Sequence, residues 1–105
     1  MIKRIWHGWT THENADEYQT LLLTKIIPMI ESKSMEGYRG IEVMRRELET
    51  EVEFITIMEF DSLDLIKQFV GDDYTVAHVP DMAQAVLKRW DVRSQHYEIV
   101  TAPGS

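Results

Sequence analysis

The strongest pattern in the chain runs from Tyr38 to Phe60. It reads Tyr-Arg-Gly-Ile-Glu-Val-Met-Arg-Arg-Glu, a polar break Leu-Glu-Thr-Glu, then Val-Glu-Phe-Ile-Thr-Ile-Met-Glu-Phe. Two runs rich in β-branched and aromatic residues about a short break predict a β-hairpin. The break holds no Asn-Gly or Asp-Gly pair, which predicts a loop longer than about two residues. Side chains alternate across a strand, so Phe54, Thr56, Met58 and Phe60 share one face, and Ile55 and Ile57 share the other with Glu59. A sheet with one wet face alternates apolar with polar residues. This strand is apolar on both sides, so both sides require a cover.

The opening run Ile2 to Trp9 repeats the theme. Ile5, His7 and Trp9 fall on one face of a predicted strand, and Ile2, Arg4 and Trp6 on the other. Thr10-Thr11-His12-Glu13 then has the form of a capping box, in which a Thr hydroxyl and a Glu three residues on satisfy free amide donors. Tyr18, Leu21, Leu22, Ile26, Met29 and Ile30 follow at helical spacing. Pro28 removes one backbone bond and meets the carbonyl of Thr24, which predicts a kink or an end to the regular helix near Ile27. Glu36 to Gly40 is a glycine-containing loop leading into the hairpin.

Beyond Phe60, Asp61 or Ser62 is placed to cap a short helix with Leu65, Ile66, Phe69 and Val70 on one side, and Gly71 to stop it. Residues 72–79 read either as a broken helical turn or as a loop. Pro80 suits the first position of a third helix, on which Met82, Val86 and Trp90 recur every fourth residue. Arg93 to Val100 reads as a last strand. The order β-α-β-β-α-α-β is the split βαβ, ferredoxin-like arrangement of the α+β class, with helices on one face of an antiparallel sheet. It forms one domain over 1–100 with a flexible tail over 101–105. The uncovered sheet face would expose large apolar groups, and such a patch marks an interface. A second copy offering the same face under two-fold symmetry is the simplest cover, so the expected assembly is a homodimer with sheet facing sheet.

Composition narrows the partners. At 105 residues, with 44% hydrophobic and 28% charged residues, the chain has the makeup of a globule that buries roughly two-thirds of its surface. A net charge of −7 disfavours nucleic acid and anionic membrane as partners, since both require clustered Lys and Arg. With no cysteine, disulfides, thiolate metal sites and cysteine nucleophiles are excluded. Neither a signal-like apolar run nor a segment near the roughly 18 apolar residues of a membrane span is seen. The expectation is a soluble, cytoplasmic protein.

The opening Ile-Lys-Arg-Ile-Trp-His-Gly-Trp-Thr, the late Pro28, Glu-Gly-Tyr-Arg-Gly, Glu-Val-Glu-Phe-Ile-Thr-Ile and the closing His-Tyr-Glu-Ile-Val together resemble the antibiotic-biosynthesis-monooxygenase-like family. The likeness spans residues 2 to 100. It implies two ferredoxin-like chains pairing into a dimeric α/β barrel. The activities it implies range from cofactor-free oxygenation of aromatic polyketides and quinols to haem degradation, and many members have no known activity. The haem-degrading branch combines an Asn late in the first strand, a Trp in the helix after the hairpin and a His about ten residues on. Here those places hold His7, Gln68 and His78, so one of the three matches.

In such a fold a ligand pocket is expected between the helices and the sheet face carrying Ile5, His7 and Trp9, with His78 and Tyr74 reaching the same space. His78 and His7 are the candidate bases, because an imidazole with a pKa of about 6.5 accepts a proton at neutral pH. Trp9, Tyr74 and Phe69 are the candidate contacts for a flat, aromatic or hydrophobic small molecule. A phenolate is electron-rich enough to reduce oxygen directly, so no metal or flavin cofactor is required. Each residue also has a plainer reading. His78 suits a helix cap or a solvated position, His7 a core or interface position, and Trp6 and Trp9 packing. The four histidines show no His-x-x-x-His spacing. Arg45 and Arg46 sit beside Glu42 and Glu47, as on a salt-bridged surface. No phosphate loop or Gly-x-Ser-x-Gly elbow is present. The readings carried forward are a cofactor-independent monooxygenase, a non-catalytic or stress-related ligand-binding dimer, and a haem-degrading oxygenase.

Overall fold

In the computed structural model, which describes residues 1–104, β1 (Ile2–Thr10) runs through the interior of a five-stranded antiparallel sheet. On one side it pairs along its whole length with β3 (Val52–Phe60), from Ile2 opposite Phe60 to Thr10 opposite Val52. β2 (Tyr38–Glu47) completes the hairpin. Its loop, 48–51, is longer than a two-residue turn and is closed by the Leu48 N–H donating to the Glu51 carbonyl at 2.8 Å. The far edge of β1 is shared by two short strands. β4 (Arg89–Trp90) lies opposite Gly8 and Trp9, and β5 (Gln95–Glu98) opposite Ile2 to Ile5.

The first helix begins later than expected, as α1 (Ala15–Leu21). The capping box does not form: the Thr11 hydroxyl accepts from the Asn14 N–H at 3.2 Å, holding the turn that precedes the helix. The chain then widens into a π-helical segment (Leu22–Ile26) and resumes as α2 (Ile27–Glu31). The Ile27 N–H donates to the Leu22 carbonyl, five residues back. Widening the turn before Pro28 accommodates its missing donor without ending the helix. α3 (Leu63–Val70) is capped as expected: Ser62 Oγ accepts from the Leu65 N–H at 3.3 Å, and Gly71 stops the helix at φ +94. A side chain at Gly71 would be strained in that backbone conformation.

The C-terminal quarter departs from expectation. The third helix is only α4 (Asp81–Gln84), with Pro80 as its cap and Ala83 as its buried residue; Leu87, beyond its end, is buried as well. Trp90 belongs to β4, because pairing with Gly8 extends the sheet and competes with another helical turn. Residues 72–79 form a loop tied down by Ala77 N–H to the Val92 carbonyl at 2.9 Å. The last strand is shorter than Arg93–Val100. Residues 101–104 form no helix or strand, and Ser105 of the expected tail lies outside the described residues.

Helices cover one sheet face. The core joins Trp6, Val52 and Phe54 from the sheet to Ala15, Tyr18, Leu22 and Ile26 from the long helix and to Ala83 and Leu87. Tyr18 meets Phe54 edge-on at 4.9 Å between centroids. Every sheet residue in this core is even-numbered, so the register places Arg4, Gly8 and Thr10 on the same side. The odd-numbered face, with Ile5, His7, Trp9, Ile55 and Ile57, is half-buried and carries no helix among the described residues. The domain is α+β with an antiparallel sheet, compatible with the ferredoxin-like order. No helix is long and apolar enough to cross a membrane.

Candidate functional site

Between the helices and the even-numbered sheet face lies a cavity of about 800 Å³. Trp6, Thr56, Met58 and Phe60 form its sheet floor, Tyr18, Leu22 and Ile26 one wall, and Ile66 and Phe69 of α3 another. Ala77 to Pro80 and Ala83 line the remaining side. Buried residues mark the depth of the cavity. Exposed Met29, Lys33, Phe69, His78 and Gln84 mark its mouth. Trp6 is fixed in two ways. Its indole N–H donates to the Asp91 carbonyl at 2.8 Å, and its ring lies over Gly8, where an added Cβ would stand 2.6 Å from Trp6 Cη2. Glycine at position 8 is required for that close approach.

Arg4 is the buried charge of the cavity, at 7% exposure. Its Nη1 donates to the Tyr74 carbonyl and contacts His96 Nε2 at 2.9 Å, and its Nη2 donates to the Val76 carbonyl at 3.2 Å. A guanidinium only donates, so His96 Nε2 accepts and Nδ1 carries the imidazole proton. Burial lowers the Arg4 pKa, the direction expected of a cation removed from water. Burial, and then the charge of Arg4, bring His96 down to about 4, so it is neutral at physiological pH. Burial pushes the Tyr18 hydroxyl well up, leaving it protonated.

The expected site residues divide between two faces. His78 and Phe69 line the cavity. Tyr74 stands behind it: its carbonyl accepts from Arg4, and its ring meets His96 edge-on at 5.0 Å. Gln68 is exposed on α3 beside Phe69. His7 and Trp9 are on the opposite face. His7 Nδ1 lies 3.0 Å from Glu53 Oε2, the two rings stack at 6.0 Å, and the Arg89 guanidinium covers Trp9 at 3.7 Å. The pocket therefore does not lie on the Ile5, His7 and Trp9 side, which corrects the sequence-based placement.

The reason is electrostatic. In β1 and β3 the odd-numbered face carries Lys3, Glu53 and Glu59, whereas the even-numbered face carries one formal charge, Arg4. Helices packed over the odd face would desolvate three ions, at a cost that rises steeply in a low dielectric. The charge count was the signal in the sequence; apolar alternation alone does not distinguish the faces. Arg4 and His96 were missed because they are 92 residues apart and no local motif joins them.

Among the described residues no group of three or more His, Asp or Glu stands close enough to hold a metal ion. No family model matches the chain, and no curated protein matches it.

Proposed function

We propose that this chain is a homodimeric, cofactor-independent monooxygenase for a flat aromatic or quinol-type molecule bound in the cavity between helices and sheet. The observation that carries the reading is the cavity itself. A volume of about 800 Å³, apolar walls and few polar groups have the form of a small-molecule site. His78, which lines the mouth along with Phe69, is the base of this reading and takes the phenolic proton. The resulting phenolate supplies electrons to O2. For a methylene flanked by aromatic rings the step balances as CH2 plus O2 giving C=O plus water, with one oxygen atom in each product.

The dimer half of the reading is supported by the uncovered face. Two of its carboxylates are matched within the chain, Glu53 with His7 and Arg46 at 3.0 and 2.6 Å and Glu51 with Arg89 at 2.5 Å, while Lys3 stands opposite Glu59 in the register. What remains is a largely apolar surface around Ile5, Ile55 and Ile57, complementary to a second copy of itself. Two such sheets face to face give the dimeric α/β barrel implied by the family resemblance. His7 and Trp9 then lie at the contact between chains, and His78 is the base.

The test is oxygen uptake with a panel of phenols and quinols in the presence of chelator. Turnover that falls at least about 100-fold in His78→Ala supports the role of His78. Turnover unchanged in His78→Ala contradicts it. One observation favours the non-catalytic reading: among the described residues no hydrogen bond orients His78, whereas catalytic bases are commonly held by a third group. A ligand retained without oxygen uptake would establish that reading.

A further inference from the structure

Arg4 is buried to 7% exposure, yet none of its partners carries negative charge. They are the carbonyls of Tyr74 and Val76 and the imidazole of His96, the last of which contributes no anion. Buried guanidinium groups are ordinarily matched by a carboxylate, because an unpaired ion in a low dielectric is costly. Acidic residues are plentiful here, with 18 Asp and Glu and a net charge of −7, but none lines the cavity. Every formal charge in the lining is positive, with Arg4 in the depth and Lys33 at the mouth. The three contacts leave the Arg4 Nε–H and one Nη2–H without a partner among the described residues. The Nε and Nη2 edge of a guanidinium is the one that grips two oxygens side by side, and on Arg4 its Nε–H is free among the described residues.

We propose that the cavity selects a flat aromatic monoanion, whose anionic oxygen, a carboxylate or a phenolate, pairs with Arg4 while its ring system lies among Trp6, Met58, Phe60 and Ile66. The inference rests on the cavity being the ligand site, and it names the ligand class. An anion at this point supplies the missing counterion. It is held more strongly than on a wet surface, because the surrounding walls are apolar. For a phenol the same pairing favours the ionised form, which is the electron-rich species that oxygen chemistry requires.

Three probes of one size test it by calorimetric titration at pH 7.5: 2-naphthoate, 2-naphthol and 2-naphthalenemethanol. The expected result is that an anion-forming probe, 2-naphthoate or 2-naphthol, binds at least tenfold more tightly than the alcohol, a preference that Arg4→Gln reduces to near parity. The absorption band of bound 2-naphthol separates the two sources. A naphtholate spectrum at pH 7.5 identifies a phenolate site, whereas tight binding of 2-naphthoate alone identifies a carboxylate site. Should Arg4→Gln fail to fold, the ratio of anion-forming probe to alcohol on the unaltered protein decides. Equal affinity for all three overturns the anion proposal and leaves the cavity as an apolar ligand site. No binding of any probe overturns both.

Discussion

The two faces of this sheet are built from the same strands in the same register, yet they solve opposite problems. The even-numbered face, with Trp6, Phe54, Met58 and Phe60, is sealed by helices except where the cavity opens. In β1 and β3 its one charge is Arg4, held by carbonyls and a neutral imidazole with no anion among its partners. The odd-numbered face holds Glu53 in close contact with His7 and Arg46, carries Lys3 and Glu59 opposite each other, and leaves Ile5, Ile55 and Ile57 half-exposed. Pairing holds the Glu53 carboxyl below its ordinary range, with the His7 contact the largest cause. The difference teaches that hydrophobicity alone does not decide which side becomes the core. In β1 and β3 the side with fewer ions to desolvate takes the helices, and the side with more ions stays half-exposed.

Truncation gives the largest effect expected from that contrast. Phe54→Ala removes a fully buried ring that packs on Tyr18 at 4.9 Å and should cost about 3–5 kcal/mol in urea unfolding. Ile55→Ala, one residue away on the other face, should cost less than half as much at protein concentrations low enough to keep the chains apart. Equal losses would mean that both faces are sealed alike. Next in size is the proposed contact between chains. Ile57→Asp places an unpaired carboxylate in that contact and should weaken dimerisation at least 100-fold, about 2.7 kcal/mol, in sedimentation equilibrium. Its circular dichroism should be unchanged. A protein that is monomeric before substitution would remove the second copy from the odd-numbered face.

The smallest effect is a titration on the even-numbered face. The folded-state pKa of His96, about 4, lies below its ordinary value of 6.5, so the unfolded chain binds more protons between these pH values. Stability should be complete above about pH 6.5 and decline as the pH falls toward 4. The ring is half-buried, so solvent screening limits the loss to about 1 kcal/mol, or roughly 4–8 °C in melting temperature. His96→Gln, which keeps an acceptor for Arg4 but does not titrate, should flatten this part of the profile. The acidic pairs held low, at Glu51, Glu53 and Asp61, act below the ordinary carboxyl pKa and are separable from it. An unchanged profile in His96→Gln would assign the acid sensitivity elsewhere.

Much of the fold is legible in residue order because it is local. The alternation of Val52 to Phe60 specifies the hairpin and its two faces, and Ser62 with Gly71 brackets α3. Where the pattern misleads, a non-local interaction has won. Met82, Val86 and Trp90 imitate a helical stripe, but backbone pairing of Trp90 with Gly8 draws the chain into the sheet, and Ala83 and Leu87 provide the buried contacts instead. The candidate site was less legible for the same reason. His78 and Phe69 fall in the cavity lining, whereas Arg4 acquires its meaning only when the 72–79 loop and β5 bring the Tyr74 and Val76 carbonyls and His96 around it. His7 and Trp9 had the right chemistry for a ligand site but lie on the face opposite the cavity.

The most direct measurement of the division between faces is methyl NMR of the isoleucine-labelled protein, titrated with 2-naphthoate and then diluted. Ile66 and Ile26 line the cavity, whereas Ile5, Ile55 and Ile57 lie on the opposite face. Ligand should shift the Ile66 and Ile26 methyls, and dilution should shift those of Ile5, Ile55 and Ile57. Ligand shifts centred on Ile55 and Ile57, with Ile66 unmoved, would contradict the assignment of ligand to one face and partner to the other.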